Sequence, residues 1–238
     1  MSVLYPYVGA TQADAYEQLN LCADPEQKIE ACMERIAPWR DRVLLDVGAG
    51  SGFHAVRFAR QARRVIALEP DARLIGQLRR RLVGQKQGNI EVIQAGAEAI
   101  PLANGSVDCV HARFAYFFGT DACLPGLAEV RRVLRPDGDF FVMETNPDAG
   151  GFGALARQAY PSVFHADFQR GIGEFYARHG FTAHRVATVF RAPDRETLAS
   201  VFRMDYPHCW EQLLEQVPGL ELDYGITVFH YRQPDGVG

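Results

Sequence analysis

Apolar positions along this chain recur at two periods that alternate. Val43–Val47 is a run of five residues, four of them branched, and predicts a strand buried on both faces. Ala55, Phe58, Ala59 and Ala62 follow at spacings of three and four, predicting a helix that starts near Gly52 or Phe53. A second short strand over 64–70 ends in an acid, Glu69. A helix is predicted over 71–83, with Leu74, Leu78 and Leu82 as its packing stripe and its arginines outward, broken at 84–88. Ile90–Gln94 is the third strand, 107–112 the fourth and 139–145 the fifth, the last entered through the turn Pro136-Asp137-Gly138. Residues 121–134 between them predict a helix, with Leu124, Leu127, Ala128 and Leu134 toward the sheet and Arg131, Arg132 and Arg135 toward water or the helix end. Strand and helix in regular alternation predict an α/β domain with a largely parallel sheet.

The flanks are more helical. Thr11 caps a predicted helix over 12–20, and Pro25 opens another with Ile29, Cys32, Met33, Ile36 and Ala37 on one stripe, stopped by Pro38. After the fifth strand come a loop over 147–153, a short helical piece over 154–160 and a helix over 164–179 offering Phe164, Phe168, Ile172 and Phe175, ended by Gly180. The sixth strand covers 181–191 and the last 220–231, with helical pieces over 195–202 and 211–217 between them. The expected layout is one domain over 1–238: a helical segment (1–38), a core (39–146), and a second half (147–238) carrying an insertion over 192–218.

Composition narrows the function classes. With 238 residues, 47% of them hydrophobic, one sizeable core is affordable. The formal charge of −4 does not advertise a nucleic-acid surface, and Arg79-Arg80-Arg81 reads as a solvated helix face. Five cysteines (Cys22, Cys32, Cys109, Cys123 and Cys209) show neither a metal-ligand spacing nor an even count, which suggests a reducing, cytoplasmic setting and no metal. No signal peptide or membrane span is expected.

The chemistry concentrates at Gly48-x-Gly50-x-Gly52. Glycines without Cβ let a ligand lie against the backbone, and the following helix offers N–H groups to an anion. Glu69, seventeen residues after Gly52, would end the neighbouring strand, where an acid can hold both ribose hydroxyls. Two ligands compete for such a site. A dinucleotide wants G-x-G-x-x-G, but Phe53 stands where the third glycine belongs. Asp46, just before the glycines, sits badly with a pyrophosphate and suits a ligand with an ammonium group, as S-adenosylmethionine has.

Four segments carry a resemblance: 43–52; Leu68-Glu69-Pro70-Asp71; Ala97-Glu98-Ala99-Ile100-Pro101-Leu102 with Ser106-Val107-Asp108-Cys109-Val110; and the run from Arg131 through Leu134-Arg135-Pro136-Asp137-Gly138 to Phe140. As a set, covering roughly 40–146, they resemble the class I S-adenosylmethionine-dependent methyltransferases, in the variety related to the ubiquinone and menaquinone biosynthesis enzymes. The resemblance implies a Rossmann-like three-layer sandwich with a seven-stranded, mostly parallel sheet, an antiparallel last strand, a helical N-terminal lid and a helical insertion before the last strand. It implies S-adenosylmethionine as cofactor, with Asp46, Gly48, Ala49, Gly50, Gly52, Glu69, Pro70, Ala97, Glu98 and Arg113 around it. Glu98 would accept from the adenine amino group, and Tyr5, Tyr7 or Tyr16 would approach from the lid.

Methyl transfer to a small molecule is then the expected reaction, on an O, N or C nucleophile, mainly through alignment and exclusion of water. Ligands of such sheets bind at the carboxyl ends of strands, so the acceptor is expected over the exits of the fourth and fifth strands, under 195–217. Candidate substrate contacts are Arg113, Tyr116, Phe118, Asn146, Tyr206 and Trp210; candidate catalytic groups are His111, Tyr116, His165 and His208. His54 is expected in packing or cofactor contact. The rival readings are a catalytically silent cofactor-binding relative and an NAD-dependent oxidoreductase, the latter opposed by Phe53 and by the lack of a Tyr-x-x-x-Lys pair. A nucleic-acid acceptor is opposed by Ala112-Arg113-Phe114-Ala115-Tyr116, where an Asn/Asp-Pro-Pro-Tyr/Phe segment would stand. The expected partner is a small molecule, with neither nucleic acid nor membrane, and the protein a monomer or homodimer.

Overall fold

The computed structural model describes residues 13–83 and 88–235. Tyr5, Tyr7, Thr11 and the break at 84–87 lie outside them. The strands are β1 (Val43–Val47), β2 (Arg64–Glu69), β3 (Ile90–Gln94), β4 (Val107–Arg113), β5 (Leu134–Thr145), β6 (Thr182–Arg191) and β7 (Glu221–Arg232). The helices are α1 (Ala13–Cys22), α2 (Lys28–Ile36), α3 (Phe53–Phe58), α4 (Ala72–Leu82), α5 (Leu124–Val133), α6 (Gly150–Ala159), α7 (Ala166–Arg178), α8 (Arg195–Asp205) and α9 (Trp210–Glu215). The strands form one sheet in the order β3-β2-β1-β4-β5-β7-β6.

The order reverses between β1 and β4, which pair in parallel with Asp46 opposite His111. This reversal is where open α/β sheets leave a crevice at the carboxyl ends of their strands. β7 runs against β5. The Asn146 N–H donates to the Gly225 carbonyl, while the Asp137 N–H donates to the Gln233 carbonyl and the Gln233 N–H to that of Gly138, so the partner number falls as the strand number rises. The sheet is thus mostly parallel with an antiparallel last strand, as the resemblance implies.

Two compact units divide the described chain. The first comprises residues up to Cys32, Thr145–Arg170 and Arg185–Thr227; the second comprises Met33–Glu144, Gly171–His184 and the chain from Val228 on.

In the second unit the centre of the sheet is dry. Leu44, Leu45, Val65, Ala67, Leu68, Cys109, Val110, Phe141 and Met143 are all buried. Phe140 bridges the rings of Phe117 and Phe181 edge-on, and Tyr176 stacks on Phe229 at 4.0 Å. Asp139 is fully buried here but fully compensated: it accepts from Arg42 at 3.0 Å, and its other oxygen meets His230 Nε2 at 2.9 Å and Arg232 at 3.4 Å.

The first unit has its own core of Phe152, Phe190, Phe202, Tyr206 and Tyr224. Asp24 is buried in it and accepts from the Lys28 and Ile29 N–H groups and from the Thr188 hydroxyl. That carboxylate satisfies donors at the start of α2, which begins three residues after Pro25.

Several elements differ from expectation for identifiable reasons. The helix predicted over 121–134 begins as a 3₁₀ turn, Asp121–Cys123, because Pro125 falls in the first turn of α5. Its buried face is Gly126, Leu127, Val130 and Val133, continued by Leu134, while Leu124 and Ala128 are exposed. β5 starts at Leu134, and the ladder to β4 jumps from Val107–Leu134 to Cys109–Asp139. Residues 135–138 are therefore a bulge in a strand and not only a turn before one. Arg132 does not face water: it donates to the Ile100 and Leu102 carbonyls and to Asn104, and pairs with Glu129. α4 buries Ile75 and Leu78, and Arg81 turns inward to donate to the Ser51 carbonyl at 2.8 Å.

Candidate cofactor site

The residues that converge at the β1 exit all belong to the second unit. Asp46, four residues into β1, is 2% exposed. Its Oδ1 lies 2.7 Å from Nδ1 of His111, its cross-strand neighbour. Its Oδ2 is buried and has no hydrogen-bond partner. A buried, unpartnered carboxylate oxygen costs about 1–3 kcal/mol or more, so such an atom beside a binding loop calls for a ligand donor.

The loop after Asp46 is held by its own backbone. The N–H groups of Gly48 and Ala49 donate to the Leu68 carbonyl, tying the loop to β2. Gly48 has φ +70°, and a Cβ there would stand 2.4 Å from the Ala115 Cβ. Gly52 has φ +79°, and its Cβ would stand 2.7 Å from Leu78 of α4. Both positions demand glycine for backbone conformation and for space.

Glu69 clamps the same loop from β2. One oxygen accepts from the Gly50 N–H at 2.9 Å, the other from the Asp71 N–H at 2.9 Å. It is 5% exposed, and burial raises its pKa against the lowering by these two donors. Each oxygen keeps a lone pair for a further donor. Asp71 caps α4 by accepting from the Arg73 N–H, and Arg73 holds its pKa down at about 2.

Two histidines sit among these groups. His111 is 2% exposed, its ring edge-on to Phe58 at 4.7 Å and tilted toward His54 at 5.6 Å. His54 lies in the first turn of α3, against Phe53 at 5.0 Å. Burial, then the positive Arg113, press its pKa well below the ordinary histidine range, so it is neutral at neutral pH.

At the β4 exit the chain is strained. Phe114 (φ 51°) and Tyr116 (φ 57°) are both left-handed, on either side of the Ala115 that meets Gly48. Bulky residues rarely take this conformation, and such strain concentrates at functional edges. Tyr116 turns its ring onto α5, where a Cβ on Gly126 would meet it at 2.3 Å, and its hydroxyl donates to the Ala122 carbonyl at 3.4 Å. Arg113 is half-buried, with its guanidinium 5.5 Å from the Phe114 ring. Phe118 is half-buried, and its N–H donates to the Cys123 sulfur.

Ala97 is buried, Pro70 exposed, and the exposed Glu98 folds its carboxylate over Gly96, 2.5 Å from where a Cβ would be. Glu144 is the last buried residue of β5, at the strand exit where the sequence places it. It is 8% exposed, Oε1 has no partner, and burial raises its pKa well above the ordinary range. The only signal for it in the sequence was an acid ending the run Phe140-Phe141-Val142-Met143.

The remaining candidates belong to the first unit. His165 and His208 are exposed. Tyr206 is 3% exposed, among the rings of Phe152, Tyr160 and Phe202. Trp210 is half-buried under the Arg203 guanidinium at 4.7 Å. Asn146 accepts from the Asp148 N–H at 3.1 Å. Among the described residues no three His, Cys, Asp or Glu side chains converge to hold a metal ion, and no helix is long and apolar enough to cross a membrane.

The residues at the β1 exit therefore fit a nucleoside ligand that carries an ammonium: an unsatisfied carboxylate oxygen, a glycine turn and an acid at the end of β2. Comparisons with known proteins agree with this geometry. Residues 44–138 match the family model described as a methyltransferase domain. A ubiquinone/menaquinone biosynthesis C-methyltransferase of Enterobacter is 30% identical over 197 residues, covering 80% of this chain and 73% of the relative. That of Hahella chejuensis is 32% identical, over 66% of this chain and 64% of the relative's length. Among solved structures, the YcgJ protein of Bacillus subtilis superposes with a TM-score of 0.61 at 16% identity, over 87% of this chain and 98% of that one, a likeness of fold. The chain belongs to the class I S-adenosylmethionine-dependent methyltransferases and is related to the small-molecule methyltransferases of quinone biosynthesis.

Proposed function

We propose that this protein transfers a methyl group from S-adenosylmethionine to an O, N or C nucleophile of a small molecule. The observation that carries the reading is Asp46, buried beside the glycine turn with one oxygen unsatisfied. In this reading Asp46 accepts from the ligand's ammonium and Glu69 from its ribose hydroxyls. Gly48, Ala49, Gly50 and Gly52 let the ligand lie on the backbone. Pro70, Ala97, Glu98 and Arg113 complete the contacts.

The cofactor brings a sulfonium methyl that is already electrophilic. The chain's contribution is alignment and exclusion of water. Neutral His54 adds no positive charge beside a sulfonium. Arg113 and Phe118 are the acceptor contacts to test first. Tyr116 is a weaker one, because its ring and hydroxyl are engaged with α5 and the turn before it. In the first unit Asn146, Trp210 and the buried Tyr206 are the further acceptor contacts to test, and His165 and His208 the proton acceptors to test. The relatives' names include a demethylmenaquinone methyltransferase, so an electron-rich quinol heads the acceptor screen, ahead of phenols and amines.

The test is calorimetric titration with S-adenosylmethionine, S-adenosylhomocysteine and NADH, on wild type and on Asp46→Asn and Glu69→Ala. We expect about micromolar affinity for both sulfur ligands and none for NADH. Asp46→Asn should lose about 10- to 100-fold, the worth of one charge-assisted hydrogen bond. A protein that binds NADH and neither sulfur ligand would overturn the reading.

A further inference from the structure

We propose that His111 is a positioning residue: it fixes the Asp46 carboxylate so that Oδ2 faces the ammonium of the bound cofactor. The inference rests on the cofactor reading above and assigns a role to a residue that this reading leaves unused.

Its ground is geometric. Asp46 and His111 are register partners on adjacent parallel strands, at the point where the strand order reverses. Nδ1 of His111 and Oδ1 of Asp46 are 2.7 Å apart, with each side chain 3% exposed. An aspartate oxygen only accepts, so Nδ1 carries the hydrogen and donates it. The contact leaves the carboxylate one engaged oxygen and one unpartnered one. Rotation of the carboxylate would trade one unsatisfied buried oxygen for two, so the bond sets its orientation.

The imidazole is fixed in turn. It sits edge-on to Phe58 at 4.7 Å, and His54 leans on it at 5.6 Å. Phe58 is fully buried and is edge-on to Trp39 at 5.2 Å, so the stack behind the ring is part of the core. Nδ1 of this ring is committed to Asp46, so the ring's remaining lone pair lies on Nε2, away from the carboxylate. Metal-binding side chains are oriented in the same way by the group behind them, and loss of that partner typically weakens metal binding about 10- to 100-fold, the scale expected here for the ammonium.

The test uses two ligands that differ only at the site in question. S-adenosylhomocysteine carries the amino acid end; 5′-deoxy-5′-methylthioadenosine carries the same nucleoside and sulfur without it. In His111→Leu, affinity for the first should fall about 10- to 100-fold while affinity for the second stays within about twofold. His111→Asn, whose amide N–H can occupy the place of Nδ1–H, should restore most of the loss. His111→Gln places its amide one atom further out and should not. The Asn–Gln pair keeps the test valid if the leucine variant fails to fold. Equal weakening of both ligands, or equal behaviour of Asn and Gln, would make His111 an ordinary core residue and overturn the proposal. Wild type that binds methylthioadenosine but not S-adenosylhomocysteine would overturn it too. Wild type that binds neither would instead overturn the cofactor reading on which it stands.

Discussion

Two buried acids at strand exits each carry an unsatisfied oxygen. Asp46 has a hydrogen-bond donor behind it, whereas burial lifts the pKa of Glu144 well above the ordinary carboxylate range. A carboxyl whose folded pKa is raised holds its proton more tightly in the folded state. Its contribution to stability is full below the unfolded pKa and is lost as pH rises from about 4.5 through the folded value. Glu144→Gln is neutral at every pH and removes this loss. Thermal unfolding at about pH 5 and about pH 8 should show the variant gaining on wild type at the higher pH. A difference that is the same at both would mean that Glu144 ionises with its ordinary affinity. Burial, more than any neighbouring charge, also lifts the pKa of Tyr176, whose hydroxyl donates to the Phe117 carbonyl.

Elements were legible where a period and a breaker coincided. Val43–Val47 and Ile90–Gln94 lie where the apolar runs put them, and the stripe Ala55, Phe58, Ala59 and Ala62 is buried throughout. α5 was legible as a helix but not in its rotation. Leu124 and Ala128 fit a spacing of four as well as Leu127 and Val130 fit a spacing of three, and only the sheet beneath chooses. Leu127→Ala should therefore cost about 2–5 kcal/mol in a denaturant titration, and Leu124→Ala about 0.5 kcal/mol or less. Equal costs would mean that the helix presents a different face. The glycine loop makes a second prediction for an element. At Gly48, an alanine meets both the left-handed backbone and the Ala115 Cβ at 2.4 Å. Gly48→Ala should destabilise by about 1–3 kcal/mol and abolish nucleoside binding, since the strained β4 exit cannot retreat without moving Phe114 and Tyr116. Retained affinity would show that the loop yields.

Across the whole molecule, what sequence cannot show is which distant polar groups meet. The run 43–52 announced a ligand site, but nothing in it announced that His111 would be its partner, because strand register is set by the complete sheet. Asp139 shows the same limit. In the sequence it reads only as the first residue of a strand; in the fold it gathers Arg42, His230 and Arg232 from positions almost two hundred residues apart. Its side chain is wholly buried, while the nearby Asp137–Arg232 pair is more than half exposed. Burial decides the worth of each. Removing one member of a buried pair leaves an uncompensated charge and costs about 3–5 kcal/mol, whereas an exposed pair contributes about 0–1 kcal/mol. Asp139→Asn should accordingly lower the unfolding free energy several-fold more than Asp137→Asn in the same denaturant titration. The cost of Asp139→Asn should also depend less on added salt than that of Asp137→Asn, because salt screens the exposed pair more. If the two variants cost the same, the Asp139 cluster is hydrated.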